Sequence, residues 1–263
     1  MIQLSLTDLV LVYGLILFSM ALLRLQRVGG EMGLLKASLR MVVQLLGAGY
    51  LLHLLFNLHR PLPVLLVLIL MLIFAVVTVA GRVEHRLPRF YPVVGTAMLV
   101  GCGAGTIYLV FLVLGLAPWY EPRYLIPLVG MILGNAMTGA ALAAERLADE
   151  IRAREAEIET LLCLGASPRQ AARSALRSAF RAAMIPSINA MAAMGVVFLP
   201  GMMTGQILSG TAPLMAVRYQ IAIMCAITGS VAMTTSLILL RGYRGYFTGA
   251  EQLRRELLRR DDG

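Results

Sequence analysis

Phe198-Leu-Pro-Gly-Met-Met-Thr-Gly-Gln-Ile-Leu-Ser-Gly-Thr-Ala-Pro213 ends one apolar run and leads into another. It holds Pro200, Pro213, Gly201, Gly205, Gly210, the pair Met202 and Met203, and Gln206. Proline removes a backbone donor, and glycine costs about 1 kcal/mol in a helix interior. A plain membrane helix has no use for that chemistry. Broken backbone at membrane depth survives only where protein or a water-filled cavity satisfies it. Transporters often place substrate at such breaks. A re-entrant turn between two helices would use the same residues, so both readings stand.

The flanking chain is 59% hydrophobic and 14% charged, with mean hydropathy +0.80. Soluble domains carry a smaller apolar and a larger charged fraction. The expected fold is all-α: a single polytopic membrane helix bundle over residues 1–263. The net charge of +9 could suit nucleic acid. Here the arginines cluster between apolar runs, where the inner-leaflet surface attracts them, so lipid is the expected partner and nucleic acid is not. Cys102, Cys163 and Cys225 are far apart and read as single thiols, neither a disulfide frame nor a zinc site. No basic n-region or A-x-A site precedes the first run, so no cleavable signal is expected.

A spanning helix needs about 20 apolar residues. Seven runs qualify, near 4–23, 39–57, 62–80, 92–116, 124–144, 184–204 and 218–240. The segments after runs one, three, five and seven carry twenty Lys and Arg; those after two, four and six carry only Arg60, Arg123 and Arg218. The positive-inside rule then sets the N-terminus outside and the C-terminus in the cytoplasm. Trp119, Tyr120 and Tyr124 fall at the predicted outer boundary, as an aromatic belt would.

The longest extramembrane piece is 145–183, expected on the inside. Leu147, Ile151, Ile158 and Leu162 keep a helical spacing, which predicts that the fifth helix runs on out of the membrane. Gly165 then stops the helix, Ser167 caps the next, and Pro168 suits its first position. Arg169, Arg173, Arg177 and Arg181 recur every four residues on one face, as a solvated face or a docking surface for an acidic partner or phospholipid would.

A P-loop needs Gly-x-x-x-x-Gly-Lys-[Ser/Thr], but the one lysine, Lys36, follows Leu-Leu. His53, His59 and His85 are not spaced as ligands, and no acidic residue sits deep in a run to relay protons or sodium. No catalytic constellation of a lipid-modifying enzyme is present. The chain is expected not to be an enzyme, and any transport would draw its energy from another subunit.

Glu159-Thr-Leu-Leu-Cys-Leu-Gly165-Ala166-Ser167 resembles the EAA loop of ABC-transporter permeases in its Glu-to-Gly spacing, with Thr160 and Leu161 replacing two alanines. Leu199 to Gly210, Pro213 to Gln220 and Gly130-Met-Ile-Leu-Gly-Asn-Ala-Met-Thr-Gly139 resemble signatures of the FetB (YbbM) family of bacterial iron-export ABC permeases. The resemblance spans nearly the whole chain. It implies a multi-pass permease of the bacterial inner membrane. That permease would pair with a separate FetA-type ATPase, two copies of each, with ATP and Mg held by the ATPase. Glu159, Gly165, Ala166 and Ser167 would then couple to that ATPase.

Polar groups inside a membrane usually face the bundle interior, as helix–helix glue or as a lining. The candidate substrate path is Asn135, Met202, Met203, Thr204, Gln206, Arg218 and Gln220. Sixteen methionines invite a metal, yet thioethers suit Cu(I) better than Fe(II), and methionine also fills apolar gaps. The expected cargo is iron or another metal ion. The alternative is an organic solute such as a nucleotide sugar or small anion, which Arg218 would attract.

Overall fold

The computed structural model describes residues 5–27, 29–58, 60–83 and 89–257. Arg86, Arg259, Arg260, His59 and His85 lie outside the described residues. Among those described, every regular element is helical, with isolated bridges pairing Met194 with Phe198 and Phe247 with Leu253. The chain divides into two compact units, 1–59 and 60–263.

The first unit packs α1 (Leu6–Leu25) against α2 (Glu31–Leu58). Ser5 caps α1: its Oγ accepts from Asp8 N–H at 3.3 Å, and Asp8 Oδ2 accepts from Ser5 N–H at 2.8 Å. Leu11, Leu15 and Phe18 are exposed along α1, as lipid rather than water would favour.

The second unit holds α3 (Pro61–Arg82), α4 (Phe90–Ile107, continuing as a π-helical turn over Tyr108–Val113) and α5 (Pro122–Ala153). It continues with α6 (Glu155–Cys163), α7 (Pro168–Ala171), α8 (Arg173–Ala193), α9 (Gly201–Leu208) and α10 (Pro213–Gly242). Pro61 opens α3 where no backbone donor is needed, and Arg82 in its last turn complements the helix dipole. The core lies where α4, α5 and α8 surround α10. Its tightest crossing is α4 on α10. A Cβ built on Gly101 would stand 2.7 Å from Thr234 N, and one on Gly105 1.8 Å from Ser230 Oγ. Only glycine lets the two backbones approach so closely.

Two contacts bring the starts of α4 and α8 beside the ends of α10 and α5. Arg241 Nη1 donates to Thr96 Oγ1 at 2.7 Å, and Ser178 Oγ donates to Glu150 Oε1 at 2.5 Å. This end carries Arg146, Arg154, Arg173, Arg177, Arg241 and Arg244. Elsewhere, in the segment between α4 and α5, Trp119 lies 6.3 Å from the Phe111 ring and 5.7 Å from that of Tyr120.

Among the described residues, six helices are long and apolar enough to cross a membrane: Thr7–Leu25, Glu31–Phe56, Pro61–Arg82, Phe90–Val113, Pro122–Ala153 and Pro213–Tyr246. The run at 184–204, expected as one helix, is divided. α8 stops at Ala193, Gly195 turns at φ +83°, and α9 starts only after Pro200. Val196 (89% exposed) and Val197 keep the turn as apolar as a helix would be, so hydropathy alone does not reveal it. The fifth helix does run on past its apolar part, as far as Ala153, before a break at Arg154.

Candidate functional site

The stretch between α8 and α10 is ordered by two glycines. Gly195 N–H donates to Phe198 O at 2.9 Å and closes the turn after α8. Gly210 (φ +98°) ends α9: its N–H reaches Ile207 O and that of Thr211 reaches Gln206 O, both at 3.0 Å. This is a Schellman motif, which satisfies the last carbonyls of the helix.

Folded this way, α9 and the turn lean on the start of α10 and border a half-open pocket of about 450 Å³. Met191 comes from α8, Met194, Gly195 and Leu199 from the turn, and Met203 from α9. Val217, Gln220, Ile221, Met224 and Cys225 of α10 complete it. Thr228 Oγ1 donates to Met191 Sδ at 3.3 Å, fixing that thioether against α10. Met203, Gln220 and Met224 are buried. Gln220 Oε1 has no hydrogen-bond partner, a costly state for a buried acceptor.

Of the residues the sequence singles out for the path, Met203 and Gln220 meet in this pocket. Met202, half-buried, is not among its lining residues. Thr204 Oγ1 donates back to Pro200 O at 3.1 Å, and Gln206 has a buried, unpaired Oε1 on α9 outside the lining. Arg218 is exposed on α10 and does not line the pocket. Asn135 sits exposed on α5, where its Nδ2 donates to Met131 O at 2.8 Å. Met191, Met194, Met224 and Cys225 were not singled out for this role. They converge from separate elements, which sequence spacing does not show.

At the basic end, Arg154 leaves the helical conformation (φ −111°, ψ 20°) and separates α5 from α6. Its Nε donates to Glu150 on α5 at 3.0 Å and its Nη1 to Glu157 on α6 at 3.2 Å, splinting the joint. Gly165 (φ +87°) ends α6 in a second Schellman motif: Gly165 N–H reaches Leu162 O and Ala166 N–H reaches Leu161 O, both at 3.0 Å. Ser167 caps α7 in a capping box with Gln170, and Pro168 is its first residue. The chain restarts as α8 at Arg173. Arg169, Arg173, Arg177 and Arg181 are all exposed. Glu159 accepts from Arg255 Nε at 2.6 Å and from Arg255 Nη2, and these bonds hold its carboxyl below its ordinary range.

The model of the uncharacterised protein family UPF0014 matches residues 6–247. The chain belongs to the UPF0014 family. A UPF0014 membrane protein of Synechocystis is 41% identical over 96% of this chain and 98% of its own. The UPF0014 membrane protein YjkA of Bacillus subtilis is 35% identical over 91% of this chain and 94% of its own. The Escherichia coli protein named "Probable iron export permease protein FetB" is 30% identical over 81% of each chain. FetB is thus one relative within the broader UPF0014 family. No solved structure matches. UPF0014 membership and the apolar helices make this a multi-pass membrane protein.

Proposed function

We propose that this chain is the permease subunit of an ABC transporter that exports a metal ion, with ATP and Mg bound by a separate ATPase subunit. The observation that carries the reading is the linkage of two sites by α8. One end of α8 joins the α6–Gly165–α7 elbow; the other supplies Met191 to the pocket. Movement imposed on a splinted, capped elbow is transmitted along stiff helices to the pocket. The printed name of the FetB relative supports the permease class and a metal ion as cargo.

In this reading the basic end is cytoplasmic and the N-terminus external, with the C-terminal segment inside. α8 supplies about 20 Å between Arg181 and Met194 at 1.5 Å per residue. The hydrocarbon core is about 30 Å thick. The turn therefore falls inside the membrane, and α8 with α9 makes the sixth of seven crossings, a broken one. Two permeases and two ATPases assemble in the bacterial inner membrane, the ATPases meeting Glu159, Gly165, Ala166 and Ser167. An organic anion would want a cation in its pocket, and none of the lining residues carries one.

The test is co-purification of the full chain with a FetA-type ATPase, followed by hydrolysis assays. Association that is lost in Gly165→Val is expected. Failure of any ATPase to associate, with transport intact in Glu159 and Gly165 variants, would overturn the reading.

A further inference from the structure

Sulfur is concentrated in the pocket. Four of its ten lining residues are methionine, against sixteen in the 263 of the chain, so the enrichment is local. Cys225 adds a thiol. The donors come from four segments: Met191 from α8, Met194 from the turn, Met203 from α9, and Met224 with Cys225 from α10. An independent observation points to a ligand. Gln220 is only 7% exposed, lines the same pocket, and its Oε1 is unpaired.

We infer that this pocket is a site for a soft monovalent cation of the Cu(I) class, held by sulfur donors drawn from among Met191, Met194, Met203, Met224 and Cys225. The inference deepens the permease reading and rests on it for the role of the site as a transport step. Thioether and thiolate are soft donors and select Cu(I); Fe(II) is better served by imidazole and carboxylate. No such group lines the pocket, and among the described residues no group of three or more His, Cys, Asp or Glu could hold a metal ion. Charge sets the valence. On binding, Cys225 gives its proton to water, and one thiolate neutralises one positive charge. A divalent ion would keep a net charge in an apolar pocket, which is expensive.

The experiment is a titration of the full chain, in nanodiscs of phosphatidylethanolamine and phosphatidylglycerol. Cys163→Ser forms the background, because Cys163 and Cys225 are both exposed thiols and only Cys225 lines the pocket. Ag(I) serves as the redox-inert probe, and Cu(I) is measured by competition with a chromogenic chelator. One ion per chain is expected. Met203→Leu/Met224→Leu, which preserves volume, is expected to weaken binding by at least ~10-fold, the lower range seen even for outer-shell losses at metal sites. Met233→Leu, an exposed methionine on the same helix, is expected to change nothing. Thermal unfolding of each variant confirms that it is folded. Binding that vanishes in Cys225→Ser but is untouched by the double methionine variant overturns the inference, as does no binding at all. Methionine-dependent binding without any effect of Ag(I) on hydrolysis by the permease–ATPase complex supports the site and overturns its role as a transport step. Hydrolysis coupled to another solute, with no Ag(I) bound, overturns the site and leaves the permease reading standing.

Discussion

Arg255 Nε donates to Glu159 Oε1 at 2.6 Å, tying the segment after α10 to α6 across 96 residues of chain. Glu155 adds a second carboxylate to the same guanidinium at 3.4 Å. The tail is thus held against the segment proposed to meet the ATPase.

The pair predicts a pH dependence. Arg255 lowers the Glu159 pKa from its ordinary 4.5. A carboxyl depressed in the folded state contributes above its ordinary value, and the contribution is lost as pH falls through the lowered one. Hydrogen-exchange protection of residues 155–163 should therefore hold at pH 7 and at pH 5.5 and fall only below 4.5. Arg255→Gln should lower that protection at pH 7 and at pH 5.5 and make no difference once the carboxyl is protonated. Because both groups are exposed to solvent, global stability should not change.

Gly101→Ala should destabilise the α4–α10 crossing. The new methyl group would stand 2.7 Å from the Thr234 backbone nitrogen, so a helix and not only a side chain must shift. Overpacking of this kind costs about 1–3 kcal/mol. Gly103→Ala, two residues on, meets nothing within 4 Å and serves as the control. Thermal unfolding in lipid should separate the two: a lowered midpoint for the first and none for the second.

The elbow was legible in the sequence because its signals are local. A helix end at Gly165, a cap at Ser167 and Pro168 at the first position are chemistry within four residues, and each forms as read. The break in the sixth run was legible only in part. Its prolines and glycines announced disruption, but the turn begins earlier, at Met194, among residues as apolar as the helix before them. The pocket was least legible. Met191 and Met224 line one pocket because α8 packs directly on α10, and Met203 joins them because α9 leans on α10; no periodicity records either contact. The Glu159–Arg255 pair was invisible for the same reason.

Ser167→Ala removes the cap of α7, at a cost of about 0.5–2 kcal/mol to that end. Gly165→Ala imposes a side chain at φ +87°, a left-handed strain of roughly 1–2 kcal/mol. A Cβ there meets nothing within 4 Å, so the cost is in the backbone alone. Both variants should insert and fold, keep basal ATP hydrolysis in the complex, and lose its stimulation by cargo. Full stimulation in both would remove the coupling role from this elbow.

Gln220→Leu should separate stability from function. The substitution removes a buried acceptor with no partner, which costs about 1–3 kcal/mol where it stands. The unfolding midpoint should stay level or rise, while cargo stimulation falls. A lowered midpoint would show that the Gln220 amide stabilises the resting fold.

The most direct measurement is ATP hydrolysis by the purified permease–ATPase complex in lipid, scanned against Fe(II), Fe(III), Cu(I) and Zn(II), with and without Met203→Leu. The account predicts stimulation by a metal ion, greatest for Cu(I), that the substitution weakens. A flat response to every metal, with stimulation by an anionic organic solute, would contradict it.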